Sequence, residues 1–331
     1  MKIGVIGTGY WGPNIIKNLL ALNQELIIYD INRSNLQKAF QRFQECKPVN
    51  SLEDILQNSD IVAVAIVVPL RTHYELVIKS LQADKHVFVE KPLCYTTDEA
   101  DRIKFQIKEK ILMVGHTTLF TPSIAKIKEL ITNKIIGTIT DISLTRTHLG
   151  PIYSDVDVAS EVAVHDIAIL LYLIHDLPIT VNALGTSRLG SKYYDKAHII
   201  VEYKNQLKFS INVQWTSVIR ERTIVVEGTS GTIICKTTNG KEELTLYDQQ
   251  SAFEALNKGA KLQDTPLLVD SKDLILKDEE PLYTELNSFL HCIENNLNPL
   301  TDFEFSRKVV VVAEAIRKSM NHNGKTEWIS W

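Results

Sequence analysis

Cysteine is scarce in this chain, and the four present, Cys46, Cys94, Cys235 and Cys292, are scattered. None forms a CxxC pair or sits beside paired histidines, so neither a disulfide framework nor a zinc module is indicated, and the four read as reduced core thiols of a cytoplasmic protein. Long apolar runs are missing too. The longest, residues 61–70, is about ten residues and contains a proline, half of what crosses a bilayer. Neither charge dominates: 36 Lys and Arg stand against 40 Asp and Glu, a net charge of -4, which gives no reason to expect nucleic acid as a partner. Residues 1–10 enter a strand pattern directly, without a basic leader, apolar segment or cleavage site. There is no internal repeat, low-complexity tract or linker. What remains is the composition of a soluble globular protein, 44% hydrophobic and 23% charged, and 331 residues suit two domains.

Over the first third, short β-branched runs alternate with helical patterns. Strands are predicted at 2–6, 26–29, 61–67, 86–89 and 112–115, with helices at about 13–22, 33–44, 72–83 and 97–109. Ser51-Leu52-Glu53-Asp54 fits a loose capping box that would open a short helix between them. The continuous apolar run 61–67 suits a parallel strand buried on both faces. Strands and helices alternating at this spacing imply right-handed crossovers and a doubly wound parallel sheet. After about residue 118 the pattern changes. A helix is predicted at 122–132, polar–apolar alternation at 137–148, and a helix at 157–175 that is apolar nearly all round and therefore buried. Strands follow at 180–189, 197–203, 207–213, 223–227 and 232–236, a run that favours an open, mainly antiparallel sheet. Residues 250–275 read as an irregular excursion, and helices at about 281–296 and 303–322 complete the chain. The reading is α/β: residues 1–118 form a nucleotide-binding domain, and residues 119–331 an α+β domain for substrate binding and oligomerisation.

Gly7-Thr8-Gly9-Tyr10-Trp11-Gly12 matches GxGxxG where the Rossmann fold requires it, after the first strand and opening a helix. The first glycine permits the turn, the second admits the pyrophosphate, and the third lets helix and strand pack closely. Eighteen residues after Gly12, Asp30 ends the second strand. A carboxylate there accepts from an adenosine ribose 2′-OH and repels a 2′-phosphate, favouring NAD over NADP. The alternative is that Asp30 is a cap or turn residue, and nearby Arg33 is a group that would tolerate a 2′-phosphate.

The runs Val68-Pro69-Leu70-Arg71-Thr72-His73 and Ala83-Asp84-Lys85-His86-Val87-Phe88-Val89-Glu90-Lys91-Pro92-Leu93 resemble the Gfo/Idh/MocA oxidoreductases, whose pattern is P-x-x-x-H followed by A-G-K-H-V-x-x-E-K-P. Asp84 replaces the usual glycine at a surface turn. Val114-Gly115-His116-Thr117 and residues 150–166 resemble the branch of that family acting on nucleotide sugars. The resemblance implies that Lys91 contacts both the nicotinamide ribose and the reacting hydroxyl, that the Lys91–Pro92 bond is cis, and that Pro69, His73, Glu90 and Pro92 join the glycine-rich turn in holding the cofactor. Elementary chemistry agrees about the amine: desolvation and a neighbouring cationic ring both favour its neutral, basic form. The alternative is a surface lysine paired with Glu90.

The family's D-x-x-x-H pattern falls on Glu161 and His165, four residues apart on a predicted helix and so on one face. By resemblance His165 exchanges the substrate proton alongside Lys91, with Glu161 supporting it. Glu161 stands where aspartate is usual, which alters the geometry of the acid; a core histidine bonded to a carbonyl is the alternative for His165. Asp166 faces elsewhere and reads as structural. Three further residues are candidates for substrate contact: His116 at the end of the last strand of the first domain, Tyr153 in the loop before the buried helix, and Arg222, which with Arg220 would receive a diphosphate. For each a backbone-bonded or solvated role is the alternative. The histidines form no ligand cluster, so no catalytic metal is expected. The resemblance implies NAD-dependent oxidation of a secondary hydroxyl, the 3-hydroxyl of a UDP-N-acetylhexosamine such as UDP-N-acetylglucosamine, feeding an aminotransferase in surface-polysaccharide or lipid A-type synthesis. A free sugar or cyclitol dehydrogenase is the alternative within the class, and a non-catalytic NAD- and sugar-sensing protein the alternative outside it. A homodimer or homotetramer through the C-terminal sheet is expected, because an open sheet would otherwise leave an apolar face bare.

Overall fold

The computed structural model describes residues 1–153, 155–190, 192–238, 240–259, 261 and 270–331. Two compact units emerge, Met1–Phe120 with Glu279–Val311, and Thr121–Asp278 with Val312–Trp331.

The first unit is built on six strands, all paired in parallel: β1 (Lys2–Ile6), β2 (Glu25–Tyr29), β3 (Lys47–Pro48), β4 (Ile61–Ile66), β5 (His86–Glu90) and β6 (Leu112–Gly115), in the order β3-β2-β1-β4-β5-β6. Between them run α1 (Gly12–Ala21), α2 (Arg33–Arg42), α3 (Glu53–Leu56), α4 (His73–Gln82) and α5 (Thr97–Lys104). The strand order reverses between β1 and β4, and in such sheets ligands bind beyond the carboxyl ends of the strands at that point. The glycine-rich turn leaves β1 there, and Glu90-Lys91-Pro92 leaves β5 at the same end. The capping box at Ser51 forms: the Asp54 N–H donates to Ser51 Oγ at 3.2 Å, and the Ser51 N–H to Asp54 Oδ2 at 3.0 Å. Asp84 has a left-handed φ of 62°, which is why glycine suits this position and why an exposed Asp can stand in for it. A late helix, Pro281–Asn295, completes this unit. Its Leu282, Leu286, Phe289 and Leu290 share a core with Ile3, Ile15, Phe88 and Met113.

The second unit opens with α6 (Pro122–Thr132) and β7 (Ile139–Leu149), followed by a π-helical turn, Ala159–Ala163, that leads into α7 (Val164–Leu173). The strands β8 (Thr180–Thr186), β9 (Lys196–Glu202), β10 (Lys208–Gln214), β11 (Thr216–Gly228), β12 (Gly231–Thr238) and β13 (Lys241–Asp248) follow. Within the region read as irregular lie α8 (Gln250–Asn257) and β14 (Asp270–Leu274); residues 260 and 262–269 of that excursion fall outside the described residues. The helix Pro281–Asn295 is α9, and α10 (Phe303–Asn321) and β15 (Glu327–Trp328) close the chain. The sheet runs β14-β13-β12-β11-β7-β10-β9-β8-β15 and is antiparallel throughout except where β10 pairs with β7. One face is apolar, with Phe209, Ile211 and Val213 buried on β10 and Ile142 and Leu144 on β7.

Candidate functional site

The three motif glycines are glycine for different reasons. Gly7 has a φ of 98°, and a Cβ on it would come 2.1 Å from the carbonyl of Val67; one on Gly12 would come 2.4 Å from the carbonyl of Gly7. Packing forbids both. A Cβ on Gly9 would meet nothing closer than Asn35 Nδ2 at 3.7 Å, so the protein itself leaves that space open. No side chain caps the first turn of α1, and Pro13 there brings no N–H. An open backbone surface beside an uncapped helix N-terminus suits a phosphate group, and the residues present fit the pyrophosphate of a dinucleotide. Tyr10 is 86% exposed beside it.

Asp30, at the end of β2, serves this loop directly. Its Oδ2 accepts from the Thr8 N–H at 2.7 Å and from Thr8 Oγ1 at 3.1 Å, and its Oδ1 accepts from the Asn32 N–H at 2.7 Å. Arg33 turns to Asn50, donating to Oδ1 at 2.6 Å.

The Lys91–Pro92 bond is cis, as the resemblance implies, and Lys91 is half-buried at the end of β5. His73 holds this turn in place. Its ring is 1% exposed, with Nδ1 2.8 Å from the carbonyl of Pro92 and Nε2 2.9 Å from the carbonyl of Val68. Two carbonyls accept and cannot donate, so only a ring protonated on both nitrogens satisfies both contacts. Pro69 is exposed, and its carbonyl starts the turn before α4 by accepting from the Thr72 N–H at 2.9 Å. Glu90 reaches the glycine-rich loop, accepting from Trp11 Nε1 at 2.8 Å.

His116 ends β6 but is 1% exposed, and its nearest ring neighbour is Phe305, 5.8 Å away and edge-on. Both ring nitrogens are buried without a hydrogen-bond partner. Burial first, and then the charge of Lys91, push it down to about 3, which favours the neutral ring. Glu285 of α9, which sequence reasoning passed over, is also in this unit, fully buried with Thr117 Oγ1 donating to its Oε2 at 2.6 Å. The legible signal was an acid on the apolar stripe of a helix.

The remaining candidates belong to the second unit. Glu161 lies in the π-helical turn and His165 one residue into α7, both half-buried. Asp166 faces the sheet, where Arg146 of β7 donates to it from Nη2 at 2.8 Å and from Nε at 3.1 Å, with both side chains buried. Arg222 of β11 lies directly opposite Arg146 across the strand pairing. The charge of Arg146, then burial, push Arg222 down to about 10, with Arg220 adding to the effect and Asp166 and Glu242 opposing it. His148, two residues beyond Arg146, is lowered by burial and then by Arg146, Arg220 and Arg222. Like charges facing each other across a sheet repel, and with Asp166 bonded to Arg146 the excess positive charge falls on Arg222. Tyr153 packs its ring 5.8 Å from that of buried Trp215.

A parallel sheet with its switch point, an open glycine-rich turn and a lysine at the strand ends define a dinucleotide-dependent oxidoreductase. Two family matches make this specific: residues 1–116 match the oxidoreductase family with an NAD-binding Rossmann fold, and residues 124–234 match the GFO/IDH/MocA C-terminal domain. The chain belongs to the Gfo/Idh/MocA family and is an NAD-dependent oxidoreductase acting on CH–OH groups. It is similar to the UDP-N-acetylglucosamine 3-dehydrogenase of Acidithiobacillus ferrooxidans, 27% identical over 197 residues that cover 58% of this chain and 60% of that enzyme. The solved structure of that enzyme superposes with a TM-score of 0.84 at 22% identity, covering 97% of this chain and 98% of the other. The myo-inositol 2-dehydrogenase of Thermotoga maritima is 31% identical over 141 residues, 41% of this chain and 42% of that enzyme. A levoglucosan dehydrogenase in complex with NADH and L-sorbose has a TM-score of 0.85 at 19% identity, covering 100% and 99%. Among the described residues, no helix is long and apolar enough to cross a membrane.

Proposed function

We propose that the chain oxidises a secondary hydroxyl, the 3-hydroxyl, of a nucleotide sugar such as UDP-N-acetylglucosamine, in the cytoplasm and as a homo-oligomer, for surface-polysaccharide or lipid A-type synthesis. The observation that carries this reading is Arg222 on β11, which faces Arg146 across the strand pairing while the Asp166 carboxylate is bonded to Arg146, with Arg220 two residues away adding to the positive charge. Guanidinium groups short of acids suit a diphosphate, which they bind bidentately; a neutral sugar or cyclitol offers them nothing. The similarity to a UDP-N-acetylglucosamine 3-dehydrogenase points the same way.

In this mechanism the glycine-rich turn and the first turn of α1 bind the pyrophosphate, and Asp30 holds that turn through Thr8. Bound NAD supplies the hydride acceptor. Lys91 takes the hydroxyl proton, His165 exchanges it, and Glu161 orients the imidazole. His73 fixes the turn that carries Lys91 by joining Pro92 to Val68. Arg222 orients the anionic end of the substrate.

The test is an NAD-reduction screen of nucleotide sugars against free sugars and cyclitols, with products identified by mass spectrometry. Turnover is expected with a UDP-N-acetylhexosamine. Lys91→Ala should lower it by roughly 10²–10⁴-fold, the usual worth of a positioned base, while leaving NAD binding intact. Arg222→Gln should raise KM for the nucleotide sugar by about tenfold or more. Turnover of inositol alone, insensitive to Arg222, would establish the cyclitol alternative, which the 31% identity to a myo-inositol 2-dehydrogenase favours. No turnover at all, with NAD raising the melting temperature, would establish the sensor.

A further inference from the structure

Helix α9 carries an acid where its buried stripe should be apolar. Leu282, Leu286, Phe289 and Leu290 enter the core of the nucleotide unit, and Glu285, on the same side, has no exposed surface. An ionised carboxylate in such a place is costly unless it is paired with a cation or bonded on every lone pair. Glu285 has neither. Its Oε2 is bonded to the Thr117 hydroxyl at 2.6 Å, and its Oε1 has no hydrogen-bond partner. Its charged neighbour is another acid, Glu90. Burial first, and the charge of Glu90 second, hold the Glu285 carboxyl well above the ordinary carboxylate range, with the Thr117 bond opposing them.

The two acids therefore divide the labour. Glu90 is half-buried, accepts from Trp11 Nε1 and lies over Gly115, whose Cβ would come 3.3 Å from Glu90 Oε1. Glu285 keeps a proton, and a neutral acid at 2.6 Å from a hydroxyl can also donate to it, which lets the Thr117 contact run in either direction. Thr117 opens the turn Thr117–Phe120 that leaves β6, and Glu90 opens the turn that leaves β5. The geometry points to Glu285 as a positioning residue: a neutral carboxylic acid buried below the exit of β6, holding the turn of Thr117 in place through its hydroxyl. This inference rests on the NAD-dependent class and not on the nucleotide-sugar reading.

Other titratable groups on the elements around it are Lys91 beside Glu90, His86 at the far end of β5, His116 at the end of β6, Glu280 ahead of α9, Lys17 on α1, and Tyr283, His291, Cys292 and Glu294 on α9 itself. The charge that acts on Glu285 is that of Glu90, and it raises the carboxyl. The sign of the pH dependence follows. A carboxyl raised in the folded state binds its proton more tightly there than in the unfolded chain. Its contribution to stability is therefore neutral below the unfolded value, about pH 4.3, and becomes a growing penalty as pH rises above that value toward the folded one.

Wild type, Glu285→Gln and Glu285→Ala, each as the full chain, are compared by NADH fluorescence titration, by thermal unfolding from about pH 4 to about pH 8, and by isotope-edited infrared spectroscopy of the carboxyl groups. Gln mimics the neutral acid and should bind NADH within about twofold of wild type, whereas Ala, which strands Thr117, should bind about tenfold more weakly. The Gln variant should melt above wild type at about pH 8, and the difference should vanish near pH 4. A protonated-carboxyl carbonyl band should be present in wild type at neutral pH and absent from both variants. A Gln variant as weak as Ala, an Ala variant as tight as wild type, a melting difference independent of pH, or a carboxylate-only spectrum would each overturn the assignment. Should the Ala variant fail to fold, the Gln variant and the infrared band still decide it. None of these readouts uses a sugar, so a failed substrate screen leaves them standing.

Discussion

Asp30 shows how far spacing alone reaches. Its place at the end of β2, in chain order after the glycine-rich turn, is legible in the sequence; that it accepts three hydrogen bonds from Thr8 and Asn32 is not, because those bonds depend on how the turn folds back. The same holds for His73, whose motif position is visible and whose two carbonyl partners are not. His116 ends β6 as expected, but it is enclosed, because the chain of Glu279–Val311 returns beside it with Phe305. Glu285 and the Arg146–Asp166 pair escaped sequence reasoning for the reverse reason: each is an ordinary charged residue until tertiary structure buries it. Removing the Asp30 carboxylate frees the Thr8 N–H and loosens the loop. Asp30→Ala should therefore cost about 1–3 kcal/mol of stability, read by denaturant unfolding, and weaken NAD binding. It should also narrow the preference for NAD over NADP; an unchanged ratio of the two affinities would remove Asp30 from ribose recognition.

At the scale of elements, five of the six strands of the first unit lie where β-branched runs put them, the two-residue β3 (Lys47–Pro48) having no such run, and the helices end one to five residues earlier than their patterns suggest. The predicted helix at 97–109 stops at Lys104, and Phe105 beyond it is 81% exposed, an apolar residue that periodicity counted as helical. The helix read as continuous from Asp157 begins instead in a π-helical turn that contains Glu161. An i,i+4 argument assumes 3.6 residues per turn, and a π turn shifts the phase between Glu161 and His165; a segment apolar all round gives no periodicity from which to see that. β13 is charged along one edge, with only Leu244 fully buried, and so lacks the apolar signal of its neighbours. The junction of β1 and α1 is the most exacting element. Gly12→Ala would push a methyl to 2.4 Å from the carbonyl of Gly7. It should cost about 1–3 kcal/mol by overpacking and, by shifting the phosphate-binding turn, weaken NADH by at least about tenfold in a fluorescence titration.

For the molecule as a whole, the fold class was legible because two periodicities follow one another along the chain, 3.6 alternating with buried strands and then strand after strand. The sheet of the second unit is open on its outer face, but that face is less apolar than the sequence reading assumes. Ser143, Thr145, Ser210 and Asn212 are half-buried on it, with Ile200 40% exposed. A small-residue polar face with scattered aliphatics still suits pairing with a second copy, since flat sheet faces pack closely. Light scattering at micromolar concentration should give a homodimer or homotetramer, and Ile200→Lys should shift it toward monomer without lowering the melting temperature of the monomer. A wild-type monomer would end that expectation.

The first unit is assembled from two separated stretches of chain, Met1–Phe120 and Glu279–Val311. Leu286 and Phe289, which help fill its interior, are encoded far downstream of the strands they cover. During synthesis the cofactor-binding half therefore stands incomplete on the ribosome until almost the entire polypeptide has emerged. A fragment cut near residue 118 would be released with a hydrophobic wound where α9 belongs.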